Sequence, residues 1–147
     1  MATVVTESTA LTCPPGDAFA YVADFTHGPE WQRGVRVARW TSEPPIHVGS
    51  TYEQEARFLG MRVVSSFEVV GYDPARRTVT IVTTDGTFPI TVTRTVEPDD
   101  RGARYTERVE GKPRGALRAL GPLLHAMVRR SVRGDQRRLR ERLRGGV

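Results

Sequence analysis

Residues 114–143 read RGALRALGPLLHAMVRRSVRGDQRRLRERL, and this stretch decides the fold. Apolar side chains recur in it at steps of three or four residues, which is the period of one face of an α-helix. The stretch therefore predicts a long amphipathic helix, with Gly121-Pro122 as its start or a kink and Gly134 as a weak point. The apolar stripe consists of Leu117, Leu120, Leu123, Leu124, Met127, Val128, Val132, Leu139 and Leu143.

Most residues before this helix belong to short runs that alternate between apolar and polar side chains, which predicts strands. Turn sequences such as Asp73-Pro74 and Asp85-Gly86 separate the runs. Six consecutive strands joined by short turns form an antiparallel meander. The predicted strands are residues 35–41, 50–58, 61–72, 77–84, 88–96 and 103–110.

The N-terminal part adds one strand and two short helices. Residues 3–12 predict the first strand, which Cys13-Pro14-Pro15 ends. Phe19 and Val22 follow at helical spacing, so residues 15–25 predict a short helix, and residues 29–33 predict one more helical turn that carries Trp31. The predicted order is strand, two helices, six strands and a long helix, an α+β domain spanning residues 1–147.

This order of elements predicts a cavity. An antiparallel sheet of six or seven strands has one face to bury, and the only large apolar partner is the final helix. A helix is only about 10–12 Å across, so the sheet must curl around it to cover its own apolar face. Side chains rarely fill such a gap completely. The expected result is an apolar cavity with a few polar groups, which is typical of ligand sites.

Four sequence motifs in this order resemble the helix-grip fold of the START and Bet v 1-like (SRPBCC) superfamily. They are the helix start at Cys13-Pro14-Pro15, the segment from Asp24 to Trp31, the Val48-Gly49 step into a strand, and the Glu68-to-Pro74 strand end. The resemblance is to the polyketide cyclase/dehydrase and lipid-transport branch. It implies a curved sheet wrapped around the C-terminal helix, and binding of a lipid or polyketide. These motifs specify the fold, so they leave the function open.

Composition excludes several classes of function. The single cysteine, Cys13, allows neither an internal disulfide nor a multi-cysteine zinc site, and the three histidines show no metal spacing. No phosphate loop, dinucleotide fingerprint or nucleophile elbow is present. We therefore expect no cofactor and no metal. The first 12 residues lack a basic segment followed by an apolar core, which predicts a cytoplasmic protein.

The net charge of +5 comes from the C-terminal part of the chain. Residues 112–147 carry 11 basic groups against two acids, whereas residues 1–111 carry 11 against 15 acids. We divide the domain into a core of residues 1–133 and a basic helix end of residues 134–147. A solvated helix end is the simplest interpretation, and weak peripheral contact with anionic lipid is the alternative. Nucleic-acid binding is not expected, because no exposed aromatic stacking set is evident.

Polar residues intrude on the apolar strand faces and are the candidate site residues. If those faces line the cavity, Gln54, Arg94 and Glu107 would lie in an apolar interior, where a charge must be paired. Arg94 and Glu107 lie on adjacent strands. They either pair with each other or orient the polar end of a ligand. The predicted ligand-binding set is Trp31, Tyr52, Gln54, Phe58, Phe67, Ile81, Ile90, Val92, Arg94, Tyr105, Glu107, Leu120, Leu124, Met127 and Val128.

Three functions stay open at this point. The first is binding, sequestration or transport of a small hydrophobic molecule of lipid or polyketide type. The second is implied by the resemblance: a polyketide cyclase or aromatase, in which Arg94 would polarise a carbonyl and Glu107 would move a proton. The third is an interaction module that docks on a membrane or protein partner through the basic helix. The sequence allows a monomer or a homodimer.

Overall fold

Seven strands form the sheet of this protein, as the alternating runs predict. They are β1 (Thr3–Leu11), β2 (Val35–Trp40), β3 (Thr51–Phe58), β4 (Met61–Asp73), β5 (Thr78–Asp85), β6 (Ile90–Asp99) and β7 (Gly102–Gly111). The bounds come from a computed structural model, which describes residues 3–58, 60–86, 89–112 and 115–144, with the backbone alone at 115–117. The predicted ends of two elements, Phe88 and Arg114, lie outside the described residues, as does the side chain of Leu117.

The strands are arranged in the order β1-β7-β6-β5-β4-β3-β2, and every neighbouring pair is antiparallel. The predicted meander from β2 to β7 is therefore confirmed. The first strand returns to pair with the last, with Val5 opposite Val109. Register shifts interrupt the pairing of β4 with β5 and of β2 with β3. Such irregularities bend strands and increase their twist, so they help the sheet to curl.

Two short helices connect β1 to β2. The first is α1 (Pro15–Ala23), and α2 (Gly28–Trp31) follows after a 3₁₀ turn at Phe25–His27. Asp24 lies between α1 and the 3₁₀ turn and caps the start of that turn, because its Oδ1 accepts a hydrogen bond from the backbone N–H of Thr26 at 3.1 Å. The same oxygen accepts a hydrogen bond from the indole Nε1 of Trp40 at 2.9 Å. The predicted first helix, residues 15–25, is therefore two residues too long.

The long α-helix begins at Gly121, one of the two alternatives that the sequence analysis left open for Gly121-Pro122. A 3₁₀ helix spans Gly115–Leu120, and the α-helix α3 spans Gly121–Arg142. Pro122 lies in the first turn of α3, where its missing N–H costs no intrahelical bond. Gly121-Pro122 is thus the start of the α-helix and not a kink. Within the described ranges, no helix is long and apolar enough to cross a membrane.

The last hairpin corrects a predicted turn. Residues 98–102 read as a turn, but β6 continues through Pro98 to Asp99 and Pro98 lies opposite Ala103 in β7. Proline is tolerated in strands where its missing donor breaks no ladder bond, and strand ends supply such positions.

α3 lies against the edge strand β1 and against α2. Side chains of the helix bond the backbone of the strand: Gln136 Nε2 donates to the carbonyl of Glu7 at 2.9 Å, and His125 Nε2 lies 3.1 Å from the carbonyl of Val4. The helix thus covers an edge of the sheet that would otherwise carry unpaired backbone groups.

The core fills one end of the curled sheet. It is formed by α1, the 3₁₀ turn, α2, the C-terminal end of α3 and the strand segments nearest to them. Tyr52 stacks between Phe25 and Phe67 at ring-centroid distances of 5.1 and 5.0 Å. The large side chains that are almost fully buried include Leu11, Val22, Trp31, Tyr52, Val69, Val79, Ile81, Val96, Tyr105, Leu139 and Leu143.

Candidate ligand-binding site

A cavity of about 260 Å³ lies at the other end, between the N-terminal half of α3 and the curled sheet. Four residues of α3 face it, Leu124, Val128, Ser131 and Asp135, at the spacing of one helix face. The remaining wall is mostly apolar and comes from six strands, all except β5, and from the segment after α2. It includes Val5, Val35, Ala56, Phe58, Val63, Phe67, Ile90 and Val109.

Asp135 is the acidic residue of this wall. It is buried, and its Oδ1 accepts a hydrogen bond from the backbone N–H of Arg33 at 3.1 Å and another from Nη2 of Arg138. Burial raises the pKa of its carboxyl above 3.8, and these two bonds only partly oppose the rise. An acid with a raised pKa beside an apolar cavity can hold the polar end of a ligand or exchange a proton with it.

Arg94 and Glu107 form a buried ion pair. They lie directly opposite each other on β6 and β7, and Arg94 Nε is 3.3 Å from Glu107 Oε1. Their side chains are only 3% and 7% exposed. The pairing that the sequence left as one of two alternatives is thus present in the fold.

Further contacts hold Arg94 in place. Its Nη1 donates to the carbonyl of Val22 at 2.9 Å, and its guanidinium lies over the rings of Phe25 and Trp31, at 4.2 and 5.0 Å from their centroids. Burial lowers the pKa of Arg94, but the facing groups of Tyr105 and Glu107 outweigh it and raise that pKa. Arg94 is therefore a permanent buried cation that joins α1, the 3₁₀ turn and α2 to the sheet.

Tyr105 completes this charged layer. Its hydroxyl donates to Glu107 Oε1, and burial raises the pKa of the phenol well above 10. On β7, Glu107 lies two residues before Val109, which lines the cavity. The ion pair is therefore one layer of side chains below the cavity wall, between the cavity and the filled core.

The structure places six of the predicted ligand-binding residues in the cavity wall. These are Gln54, Phe58, Phe67, Ile90, Leu124 and Val128. Six others belong to the core or to its charged layer, and do not line this cavity: Trp31, Tyr52, Ile81, Arg94, Tyr105 and Glu107. Val92 packs partly buried against the core. Contact of any of these residues with a ligand stays a prediction.

The helical part of the predicted set lies differently from the expected stripe. Leu120 is 42% exposed, and Met127 is half-buried but does not line the cavity. The inner face of α3 instead includes the polar residues Ser131 and Asp135, and the backbone N–H of Arg33 satisfies Asp135 Oδ1. Periodicity of apolar residues alone could not show this, since that partner comes from the segment after α2.

Two kinds of lining residue were missed. Val63 and Ser65 lie opposite Ala56 and Gln54 across the β3–β4 hairpin, so the predicted cavity face of β3 together with the hairpin register would have identified them. Asp135 could have been found from its spacing to Leu124 on α3. Among the described residues, no group of three or more His, Cys, Asp or Glu side chains could hold a metal ion.

Residues 2–144 match the family model for polyketide cyclase/dehydrase and lipid transport. The chain belongs to this family. Its place in the START and Bet v 1-like superfamily is thereby confirmed, as is the helix-grip fold. No curated protein matches the chain.

Solved structures similar to this member of the polyketide cyclase/dehydrase and lipid transport family share its fold at low sequence identity. The Zhui aromatase/cyclase from Streptomyces sp. R1128 is 14% identical with a TM-score of 0.81, and the match covers 100% of both chains. A START superfamily protein from Mycobacterium smegmatis is 14% identical with a TM-score of 0.82 over 95% of both chains. Major latex-like protein 151 from Panax ginseng is 14% identical with a TM-score of 0.64, covering 90% of this chain and 97% of that one.

Proposed function

We propose that this protein binds a small hydrophobic molecule of lipid or polyketide type in the cavity beneath α3, to sequester or carry it. The observation that carries the proposal is the cavity itself, about 260 Å³ with a mostly apolar wall between α3 and the sheet. Each Å² of apolar surface that a guest buries there contributes about 25 cal/mol, so affinity needs no covalent chemistry. The family match supports this class of ligand.

Gln54 and Asp135 are the groups that would hold the polar end of such a guest. Both line the cavity, whereas Arg94, Glu107 and Tyr105 lie in the charged layer behind its wall. Burial raises the pKa of the Asp135 carboxyl, so its protonated form, which can donate a hydrogen bond, is favoured more than in an exposed aspartate. A guest with a hydroxyl or carbonyl group at one end suits this arrangement.

Binding of the neutral fluorophore N-phenyl-1-naphthylamine tests the proposal. Its fluorescence should rise and saturate with the wild-type protein, and Val128→Trp should abolish the rise because the ring fills the cavity. Met127→Trp is the matched control, since Met127 precedes Val128 on α3 but does not line the cavity. No saturable signal with the wild type, or the same signal with Val128→Trp, would contradict the proposal. Native mass spectrometry of protein purified from cells would identify a natural guest.

A second candidate function is catalysis on a poly-β-keto or aromatic substrate in the same cavity. The observation that favours it is Asp135, a buried acid in the wall whose pKa is raised. A carboxyl of this kind can remove the proton next to a ketone and return a proton to a leaving hydroxyl. Asp135→Asn should then abolish turnover of a poly-β-ketone analogue while leaving fluorophore binding intact. Unchanged turnover by this variant would refute the assignment.

The proposal also covers partners and location. We propose a cytoplasmic protein, monomeric or homodimeric, whose basic helix end makes weak contact with anionic lipid. Liposome flotation of Arg142→Gln/Arg144→Gln, which neutralises two exposed arginines of the helix end, compared with the unchanged chain, measures that contact, and equal binding of the two would refute it. Size-exclusion chromatography with light scattering measures the oligomeric state.

A further inference from the structure

The outer face of α3 forms a second groove with β1. It has a volume of about 700 Å³ and lies on the side of the helix opposite to the cavity. Five arginines of α3 and one acid of β1 dominate its lining: Arg129, Arg130, Arg133, Arg137, Arg140 and Glu7. We call this the arginine groove.

Four of these arginines follow one another along a single helix face. Arg130, Arg133, Arg137 and Arg140 are spaced by three, four and three residues, so neighbouring Cβ atoms lie about 5–6 Å apart. With a rise of 1.5 Å per residue, the row extends over about 15 Å. Like charges at this spacing repel each other and destabilise a helix. Repulsion within this row of arginines therefore destabilises the helix, and the helix itself does not offset that destabilisation.

The fold supplies little opposite charge to this row. Glu7 is shared: its Oε1 is 2.8 Å from Arg133 Nε, and its Oε2 is 3.1 Å from Arg129 Nε. Arg130 and Arg137 form no ion pair with any residue that the structure describes. Neighbouring acids are already engaged by arginines outside the groove: Glu30 by Arg142, Asp135 by Arg138 and Glu141 by Arg144. Most guanidinium donors of the groove therefore lack an anionic partner among the described residues.

We propose that the arginine groove binds an anion carrying two or more phosphate groups. A guanidinium group donates parallel hydrogen bonds that match two phosphate oxygens, and a row of about 15 Å exceeds what one phosphate can contact. No Phe, Tyr or Trp of the described ranges lines the groove, and the residues that do line it offer no platform for stacking bases. The site is separate from the cavity and adds to the proposed function. The phosphates can belong to a soluble molecule or to lipid headgroups.

Calorimetric titration with tripolyphosphate, at constant ionic strength near physiological salt, tests a soluble source. The double variant Arg130→Gln/Arg137→Gln should weaken binding at least about tenfold, because it removes two charge-assisted contacts. It should fold normally, since neither arginine has an ion pair among the described residues. The control Arg39→Gln/Arg76→Gln removes the same charge from exposed arginines on β2 and in the β4–β5 turn, and should leave binding unchanged.

Flotation with vesicles tests the lipid source, using cardiolipin, whose headgroup carries two phosphates, against phosphatidylcholine. Binding only to the anionic vesicles, lost in Arg130→Gln/Arg137→Gln and kept in the control, would support the proposal with a headgroup as ligand. Three results would overturn it: no binding of either probe, equal loss in both double variants, or polyglutamate binding as tightly as tripolyphosphate. Binding of N-phenyl-1-naphthylamine should be the same in both double variants, so this site can fail independently of the cavity.

Discussion

Arg94→Met should destabilise the protein by about 3–5 kcal/mol, because it leaves Glu107 as a buried charge without its cation. The side chain of Arg94 is only 3% exposed, and it contacts Glu107, the carbonyl of Val22 and two aromatic rings. A methionine retains much of the apolar stem but none of the charge. The expected loss is a large fraction of the 5–15 kcal/mol that stabilises most domains.

Urea unfolding followed by circular dichroism, with the slope checked for constancy, measures this loss. Glu107→Gln keeps an oxygen that accepts the hydrogen bond of the Tyr105 hydroxyl. The stability change of this variant therefore reports the loss of the negative charge alone. If the two residues are energetically coupled, Arg94→Met/Glu107→Gln should lose less free energy of unfolding than the sum of the losses in the two single variants. Arg39→Met, which breaks the exposed pair with Glu53, should cost at most about 1 kcal/mol. A loss below about 1 kcal/mol for Arg94→Met, or strict additivity, would refute the role given to this pair.

Three further predictions, which need four variants, test other parts of the fold. Because the folded chain raises the pKa of Asp135, the contribution of this residue to the free energy of unfolding should fall as pH rises from 3.8 through the folded pKa. The difference in stability between the wild type and Asp135→Asn should therefore change over this range, and parallel pH profiles of urea unfolding would contradict this. Gly102→Ala should lower the free energy of unfolding by about 1–3 kcal/mol, which a lower thermal midpoint would show. The reason is that φ is +139° there and that a Cβ would lie 2.6 Å from the carbonyl oxygen of Cys13. Gly16→Ala, with nothing within 4 Å, should be neutral or stabilising, so equal effects of the two would refute the steric argument. Asp24→Ala should cost about 0.5–2 kcal/mol in urea unfolding through loss of its cap, and an unchanged midpoint would contradict that role.

Local pattern and turn chemistry were enough to predict the meander and the long helix. Alternation along β3 correctly placed Gln54 and Phe58 on the cavity side, because a strand directs alternate side chains to one face. The same reasoning could not tell how far along a strand the filled core ends. Tyr52 and Gln54 share a face of β3, yet Tyr52 is stacked in the core and Gln54 lines the cavity.

That boundary depends on elements distant in sequence. α1, α2 and the C-terminal end of α3 fill one end of the sheet, and no pattern within a strand records their position. The role of Arg94 was open for the same reason, since its partners include the Val22 carbonyl and two rings from the helical segment. Asp135 was overlooked because a charged residue interrupts an apolar stripe, although its spacing to Leu124 fits; its contacts with the Arg33 N–H and with Arg138 account for its burial.

The division of the interior by the Arg94–Glu107 layer has a consequence for how such a protein can change over evolutionary time. Most residues of the aromatic core lie on one side of the layer, and most residues that would touch a guest lie on the other; Phe67, which stacks on Tyr52 and lines the cavity, belongs to both. Substitutions such as Val63 or Val109 to other apolar residues can therefore reshape the guest chamber while the aromatic packing around Tyr52 stays intact. New ligand preferences can arise in this scaffold with little risk of unfolding it.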